Sequence, residues 1–268
     1  MTDYINNDIA RFNEGSGEKE RQFVTALARG LEILRCFSPG ERYLGVAELS
    51  RRSGIPKPSV SRLAGTLVTL GYLDYSPELS KYSLGIGVLS LGYAMLSNIG
   101  LRQMVRPMLQ ELAEYSQASV SIGMRDRLSM VYVETVRSTA PLGMRRGVGS
   151  RLPMGLTALG HAYLAGLPEN ERAFLMGQLS ERAGSAWPQM QESIEQNLHH
   201  CAVHGFCVSI AQWEKDVSAV AVPFRDHDGT LMSFSCGGAA FLLTEDRLKS
   251  DIGPRLVNIV NSIGGQSR

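Results

Sequence analysis

The stretch at residues 46–70, VAELSRRSGIPKPSVSRLAGTLVTL, constrains this chain more than any other, because it reads as two short amphipathic helices joined by a tight turn. Val46, Ala47, Leu49 and Ser50 belong to the first helix. It should stop near Ser53 and Gly54, since glycine at a helix end takes the left-handed conformation cheaply. Pro56 suits the first turn of a second helix, where its missing N–H has no partner anyway. Along that helix Val60, Leu63, Leu67 and Leu70 recur at spacings of three and four and predict one buried stripe. Lys57, Ser59, Ser61, Arg62, Thr66 and Thr69 are left on the other faces. A longer second helix with a small, hydroxyl-bearing and basic outer face is what a helix-turn-helix needs, since that helix enters the major groove. Arg62 can make bidentate contacts to guanine or phosphate. An ordinary surface helix pair would show much of the same pattern.

The next fifteen residues favour DNA. After Gly71, Tyr72 to Tyr75 and Lys81 to Leu84 predict two short strands around the turn-rich tip SPELS. A hairpin directly after a recognition helix is a wing, and Lys81 and Tyr82 would reach the sugar-phosphate backbone or a minor groove. Upstream, Val24, Ala26, Leu27, Leu31, Ile33, Leu34 and Phe37 fit a supporting helix that ends at Ser38-Pro39-Gly40. Leu44 starts a short strand that pairs with the wing. The net charge of +1 is unevenly spread: Lys and Arg minus Asp and Glu is 2 − 5 = −3 over residues 1–20, 9 − 5 = +4 over 21–100, and 16 − 16 = 0 beyond. The positive excess sits on the segment read as DNA-binding, and it is modest, so specific contacts and dimerisation must supply much of the affinity.

A chain of 268 residues with 44% hydrophobic and 20% charged content is long enough for two ordinary domains. No apolar run approaches the roughly 18 residues of a membrane span, and the polar start lacks a signal-peptide core, so a cytoplasmic protein is expected. Residues 1–22 read as a mobile tail, 23–85 as the winged domain, 86–100 as a linker helix and 101–268 as a second domain. In the linker, Ile86, Val88, Leu89, Leu91, Met95, Leu96 and Ile99 are apolar on more than one face, so it must be covered by the second domain or by a second copy, unless it is a core helix of one domain.

Beyond residue 101 the texture changes. Val105, Met108, Leu109 and Leu112 mark a helix. Strands succeed it at 119–124 and 130–134 across an Arg125-Asp126-Arg127 turn, with another expected over 141–146. A helix capped by Thr157 runs to Leu164. Met190, Ile194, Leu198 and Cys201 mark a long helix over 187–204, then come strands at 206–210, 217–224 and 231–236, and a last helix from a Thr244 cap toward Ile263. This is an α+β domain with one antiparallel sheet.

The order of parts over residues 24–263 resembles the IclR family of bacterial transcription regulators. The resemblance rests on ALARGLEILRCF, on the helix-turn-helix with its GYLDYSPELSKYSLG wing, on SRLPMGLTALGHAYLAGL, and on the GF…VSAVAVPFRDHDG run. It implies a winged helix-turn-helix, a linker helix and a GAF-like effector domain. Further implied are homodimers or dimers of dimers on promoter DNA and small organic or aromatic acids as effectors. No cofactor and no metal are expected from the residues.

By resemblance the effector pocket falls on Met144, Leu152, Ala158 and Leu159, with Ser209, Ala219, Cys236 and Gly238 on the sheet side. The N–H groups of Ala158 and Leu159, at the start of the helix capped by Thr157, suit a carboxylate. Members that sense very small keto acids place an acidic residue, a cysteine and hydroxyls where this chain has Ser209, Ala219, Cys236 and Gly238. Less polar reach and more room point to a larger, flatter effector such as an aromatic carboxylate, although these could also be merely small core residues.

Two other clusters are candidates for chemistry. His199, His200, Cys201, His204 and Cys207 offer five metal ligands in nine residues, but they close an amphipathic helix where histidine complements the negative helix end, and no second cluster completes a zinc site. Arg145 and Arg146 among Gly143, Gly147 and Gly149 suggest a phosphate loop, yet no Gly-Lys-Ser/Thr comes after them; they could equally be solvated or form a positive rim at the pocket. Four cysteines in a cytosolic chain need no disulfide. No nucleophile elbow or catalytic constellation is visible. The expected protein is thus a ligand-responsive regulator of a catabolic gene cluster. An enzyme acting on a small organic acid, or a constitutive architectural DNA binder, stands as the alternative.

Overall fold

A computed structural model describes residues 23–139 and 146–266 of the chain, which divides into two units, Met1–Ile99 and Gly100–Arg268. The tail expected over residues 1–22 lies outside the described residues.

The first unit is built from α1 (Thr25–Arg35), α2 (Val46–Ser53), α3 (Lys57–Thr69), the hairpin β1 (Leu73–Ser76) and β2 (Lys81–Leu84), and α4 (Ile86–Ser97). Gly54 ends α2 with φ +69°, a conformation that costs a residue with a Cβ. The Ser50 hydroxyl then ties the turn by donating to the Ile55 carbonyl at 2.7 Å. Ile33, Leu49, Val60, Ala64 and Leu73 are fully buried and fuse the helices with the base of the hairpin. Arg52 pairs with Glu41 and Glu48, each at 2.6 Å, and donates to the Cys36 carbonyl at 3.0 Å. Its charge is therefore spent locking α2 to the end of α1. Leu70 leaves the predicted stripe: α3 stops at Thr69, so Leu70 is turned outward and is 61% exposed, while Ala64 completes the buried face. Leu44 pairs with Tyr82 through two backbone hydrogen bonds of 2.9 Å, which gives the wing its third strand position. Gly85 succeeds the wing because any Cβ there would meet the Gly71 carbonyl oxygen at 2.5 Å. None of the residues of α4 is buried.

The second unit carries a six-stranded sheet, every neighbouring pair antiparallel, in the order β5 (Arg151–Pro153), β4 (Ser129–Arg137), β3 (Ser119–Asp126), β8 (Leu231–Ala239), β7 (Val217–Arg225), β6 (Cys207–Ile210). Helices α5 (Leu101–Ser116) and α9 (Gly253–Gln266) pack on the sheet, and α6 (Ala158–Ala165), buried from Ala158 to Leu164, packs against β6, β7 and β8. Helix α8 (Trp187–His204) packs against α6 and β6, with α7 (Glu169–Ala183) beside it. The α+β class and the single antiparallel sheet are as expected. The β3–β4 turn falls on Arg127, with φ +58°, so both strands are longer than the sequence pattern suggests. Of the strand expected over 141–146, residues 141–145 lie outside the described residues, and Arg146 itself is not in a strand. The edge partner of β4 is β5 instead. No periodicity in the sequence predicts helix α7: it buries only Leu175 and Leu179, too few apolar positions to set a period.

Candidate functional site

In the first unit, the buried side of α3 fixes what its other side can show. With Val60, Ala64 and Leu67 turned inward, Lys57, Ser61, Arg62, Thr66 and Thr69 are exposed along one surface and Ser59 is half-buried. The Thr66 and Thr69 hydroxyls donate back to the Arg62 and Gly65 carbonyls, both at 3.1 Å, which leaves their oxygens as acceptors and their methyl groups outward. Lys57 and Arg62 make no ion pair among the described residues, whereas Arg51 and Arg52 are held by Glu48. On the wing, Lys81 is exposed. Tyr82 is not: its ring is 9% exposed, belongs to the domain core and lies 5.0 Å from the Tyr75 ring. The pleat explains the difference, since adjacent residues of a strand point to opposite faces. Tyr82 therefore supports the wing from beneath, and Tyr75, its cross-strand partner on the same face, is the more open of the two at 45% exposed.

In the second unit, a cavity of about 420 Å³, including its open mouth, lies between the sheet and the start of α6. Leu152, Leu159, Trp213, Val217 and Ala219 supply apolar walls, and Tyr132, Thr157, Ser209, Ser235 and Glu214 supply polar groups. Leu152, Ala158, Leu159, Ser209 and Ala219 come together around this cavity. Met144 lies outside the described residues.

Cys236 and Gly238 are a correction. The cavity is lined by Ser235 and Gly237, their neighbours, because alternate residues of β8 face opposite sides of the sheet. The Cys236 thiol donates to the Ser116 hydroxyl of α5 at 3.4 Å, and a Cβ at Gly238 would touch Ala118 and Leu243. Both face away from the cavity. On the sheet side the hydroxyls are therefore those of Ser209 and Ser235, and the small residues are Ala219 and Gly237. Tyr132, Thr157, Trp213, Glu214 and Val217 line the cavity with no signal of their own in the sequence, since each is an ordinary strand or loop residue until the sheet brings it in.

Several polar groups are already committed. The Thr157 hydroxyl donates to the Pro153 carbonyl at 2.9 Å and accepts from the Gly160 N–H at 3.3 Å. The first intrahelical donor is the His161 N–H, to the Thr157 carbonyl at 3.0 Å. The N–H groups of Ala158 and Leu159 precede it and open at the positive end of α6. Burial pushes the Tyr132 phenol up, partly offset by hydrogen bonds with Ser235 and Ser121, so it stays protonated and able to donate. Gly160 permits this close packing: a Cβ there would lie 2.1 Å from the Met154 carbonyl oxygen. At the mouth, Arg146 pairs with Glu214 at 2.5 Å and lies over the Trp213 ring. Arg145 lies outside the described residues.

The histidine-rich end of α8 is structural in its contacts. His200 Nδ1 donates to the Phe206 carbonyl at 2.8 Å, and its ring packs 4.5 Å from His204 and 4.8 Å from Phe206. Among the described residues no three His, Cys, Asp or Glu side chains are grouped to hold a metal ion. All four cysteines are free, and no described helix is long and apolar enough to cross a membrane.

Two family models match the chain: the IclR helix-turn-helix domain over residues 26–77, and the bacterial transcriptional regulator IclR C-terminal domain over residues 93–263. The chain belongs to the IclR family. Among relatives of this IclR-family regulator, the HTH-type transcriptional regulator TsaQ1/TsaQ2 of Comamonas testosteroni is 36% identical over 248 residues, covering 91% of this chain and 89% of that protein. The crystal structure of an IclR family transcriptional regulator from Brucella abortus is 45% identical and superposes with a TM-score of 0.87 over 96% of this chain and 97% of that one. An IclR homologue from Microbacterium hydrocarbonoxydans, solved with 4-hydroxybenzoate, shares the fold at a TM-score of 0.69 and 18% identity, covering 90% of this chain and all of that one at 100%. This IclR-family chain is therefore a DNA-binding transcription regulator with an effector-binding domain, in a family of regulators and not of enzymes. The enzyme reading of the sequence is set aside on that ground.

Proposed function

We propose that this regulator controls a catabolic gene cluster by sensing a small aromatic carboxylate in the cavity between α6 and the sheet. The observation that carries this reading is the division of the lining: flat apolar walls from Leu152, Leu159, Trp213 and Val217 meet hydroxyls from Tyr132, Ser209 and Ser235, with two helix N–H groups at one end. A planar ring fills the first, and a carboxylate suits the last. A protein of the same fold holds 4-hydroxybenzoate, which supports the ligand class.

On this reading Lys57, Ser59, Ser61, Arg62 and Thr66 read or position the operator, and Lys81 anchors the wing on its backbone. The chain works as a homodimer or a dimer of dimers. Exposed Leu27 and Leu31 on α1 and Ile86, Leu89, Leu91 and Tyr93 on α4 offer the apolar surface for pairing two copies. Effector binding shifts the population between arrangements of the paired units, and the linker helices convert that shift into a new spacing or tilt of the winged domains.

The test is fluorescence anisotropy of the purified chain on labelled fragments from upstream of its own gene, at fixed salt and with excess random DNA. Binding that survives the competitor and changes with 4-hydroxybenzoate but not with pyruvate is the expected result. A response to pyruvate alone would reject the aromatic reading, and specific binding that no acid moves would favour a constitutive architectural role.

A further inference from the structure

Cys201 lies in the last turns of α8 and Cys207 opens β6, with only the helix end, Gly205 and Phe206 between them, and both pack into one small-residue cluster where the helix meets the sheet. Cys207 is part of a small-residue cluster with Ala158, Ala162 and Ala221, and Cys201, Ala165 and Ala219 pack against it. Cys201 is half-buried, while Cys207 is fully buried with its sulfur 3.6 Å from the Asn197 carbonyl, one turn before Cys201 in α8. The two thiols therefore differ in access, as a pair with one attacking and one resolving sulfur requires.

We infer that Cys201 and Cys207 form a peroxide-sensitive modification site that closes into an intramolecular disulfide. The hydrogen bond between the two thiols holds Cys201 below the usual thiol range and Cys207 above it, and burial raises Cys207 further. Cys201 is thus the first to react. Its thiolate attacks one oxygen of hydrogen peroxide, the O–O bond breaks, and the products are a sulfenic acid and hydroxide. The Cys207 sulfur then attacks the Cys201 sulfur and the S–O bond breaks. The hydroxyl leaves as water with the Cys207 proton. Two thiols are oxidised to one disulfide, and one peroxide is reduced to two waters once the hydroxide is protonated. A disulfide needs sulfurs about 2 Å apart, so α8 and β6 are drawn together. The same face of β6 carries Ser209, and the cluster includes Ala158 and Ala219, so the bond forms directly behind the effector cavity wall.

The two remaining cysteines serve as internal controls. Cys36 donates to the Glu32 carbonyl at 3.3 Å and Cys236 to the Ser116 hydroxyl at 3.4 Å. Burial pushes each up to about 11, so neither supplies thiolate near neutral pH.

The experiment exposes the reduced full-length chain to hydrogen peroxide, alkylates free thiols under denaturing conditions, digests without reductant and measures peptide masses. The peptide spanning Cys201 and Cys207 should lose two hydrogens and escape alkylation. Dithiothreitol should reverse this, and Cys36 and Cys236 should be alkylated throughout. Cys207→Ala, a mild change in an alanine-lined cluster, should stop at a Cys201 sulfenic acid that dimedone traps. Cys201→Ala should leave Cys207 reduced. Full alkylation of both residues after peroxide, linkage of either to a second chain, or oxidation of Cys207 in Cys201→Ala would each overturn the proposal.

Discussion

The guanidinium of Arg146 lies over the Trp213 ring, 4.2 Å from its centroid, while one of its nitrogens pairs with Glu214 at 2.5 Å. Trp213 and Glu214 both line the cavity of the second unit, so one cation organises an aromatic wall and a carboxylate of its lining. Stacking leaves the edge of the guanidinium free to bond a carboxylate in its plane.

On the proposed reading an anionic effector would meet opposing charges there, and removing them one at a time separates the contributions. Arg146→Ala leaves Glu214 uncompensated and should weaken 4-hydroxybenzoate by about tenfold, the value of about 1.4 kcal/mol for a partly exposed charge contact. Glu214→Gln should tighten it. Isothermal titration calorimetry on both variants decides: equal affinity in both would mean that the anion does not feel the mouth.

The recognition face predicts a different signature. Arg62→Ala should lower operator affinity by about 1–3 kcal/mol and relax sequence preference, whereas Lys81→Ala should weaken all sequences alike and flatten the salt dependence by about one unit. Anisotropy titrations at several salt concentrations read both quantities. An unchanged Arg62→Ala profile would displace the recognition face from α3.

Glu134 of β4 is 4% exposed and holds two arginines of α5, Arg102 at 3.0 Å and Arg106 at 2.7 Å. The arginines remain partly in water, so losing the carboxylate costs less than breaking a fully buried pair. Glu134→Ala should destabilise the second unit by about 2 kcal/mol, and Glu134→Gln by less, in denaturant unfolding. The effect should shrink in a chain already carrying Arg102→Ala and Arg106→Ala, because the partners are then gone.

His161 on α6 is fully buried, and its Nε2 donates to the Gly155 carbonyl at 3.0 Å. Burial lowers it from 6.5 to about 4, with the Gly155 carbonyl opposing. The folded chain therefore stays unprotonated while the unfolded chain takes up a proton. Stability from this group is complete above pH 6.5 and is lost as pH falls toward 4, by about 3 kcal/mol in all. His161→Gln should flatten the pH dependence of unfolding between those values. A slope identical to that of the parent would assign the loss to carboxylates instead.

Where the sequence carried periodicity, it also carried the structure. Val60 and Leu67 at helical spacing, Gly54 past the end of α2 and Pro56 at the start of α3 determine the helix-turn-helix through local propensity, because each acts within one or two turns of chain. The same holds for the Thr157 cap, which places two N–H groups at the cavity before any tertiary contact is known. The sheet side of the cavity was decided otherwise. Every residue of β8 from Leu231 to Gly238 is buried, helices covering both faces, so no alternation of polar and apolar residues tells which face a residue joins. A one-residue choice then separates Ser235 and Gly237 from Cys236 and Gly238, and only the pairing with β3 and β7 makes it. Tyr82 is of the same kind: its place beneath the wing depends on the bridge to Leu44, 38 positions earlier in the chain. The pairings of Arg146 with Trp213 and of Cys201 with Cys207 likewise exist only once the sheet is assembled, since packing, not local pattern, brings those side chains together.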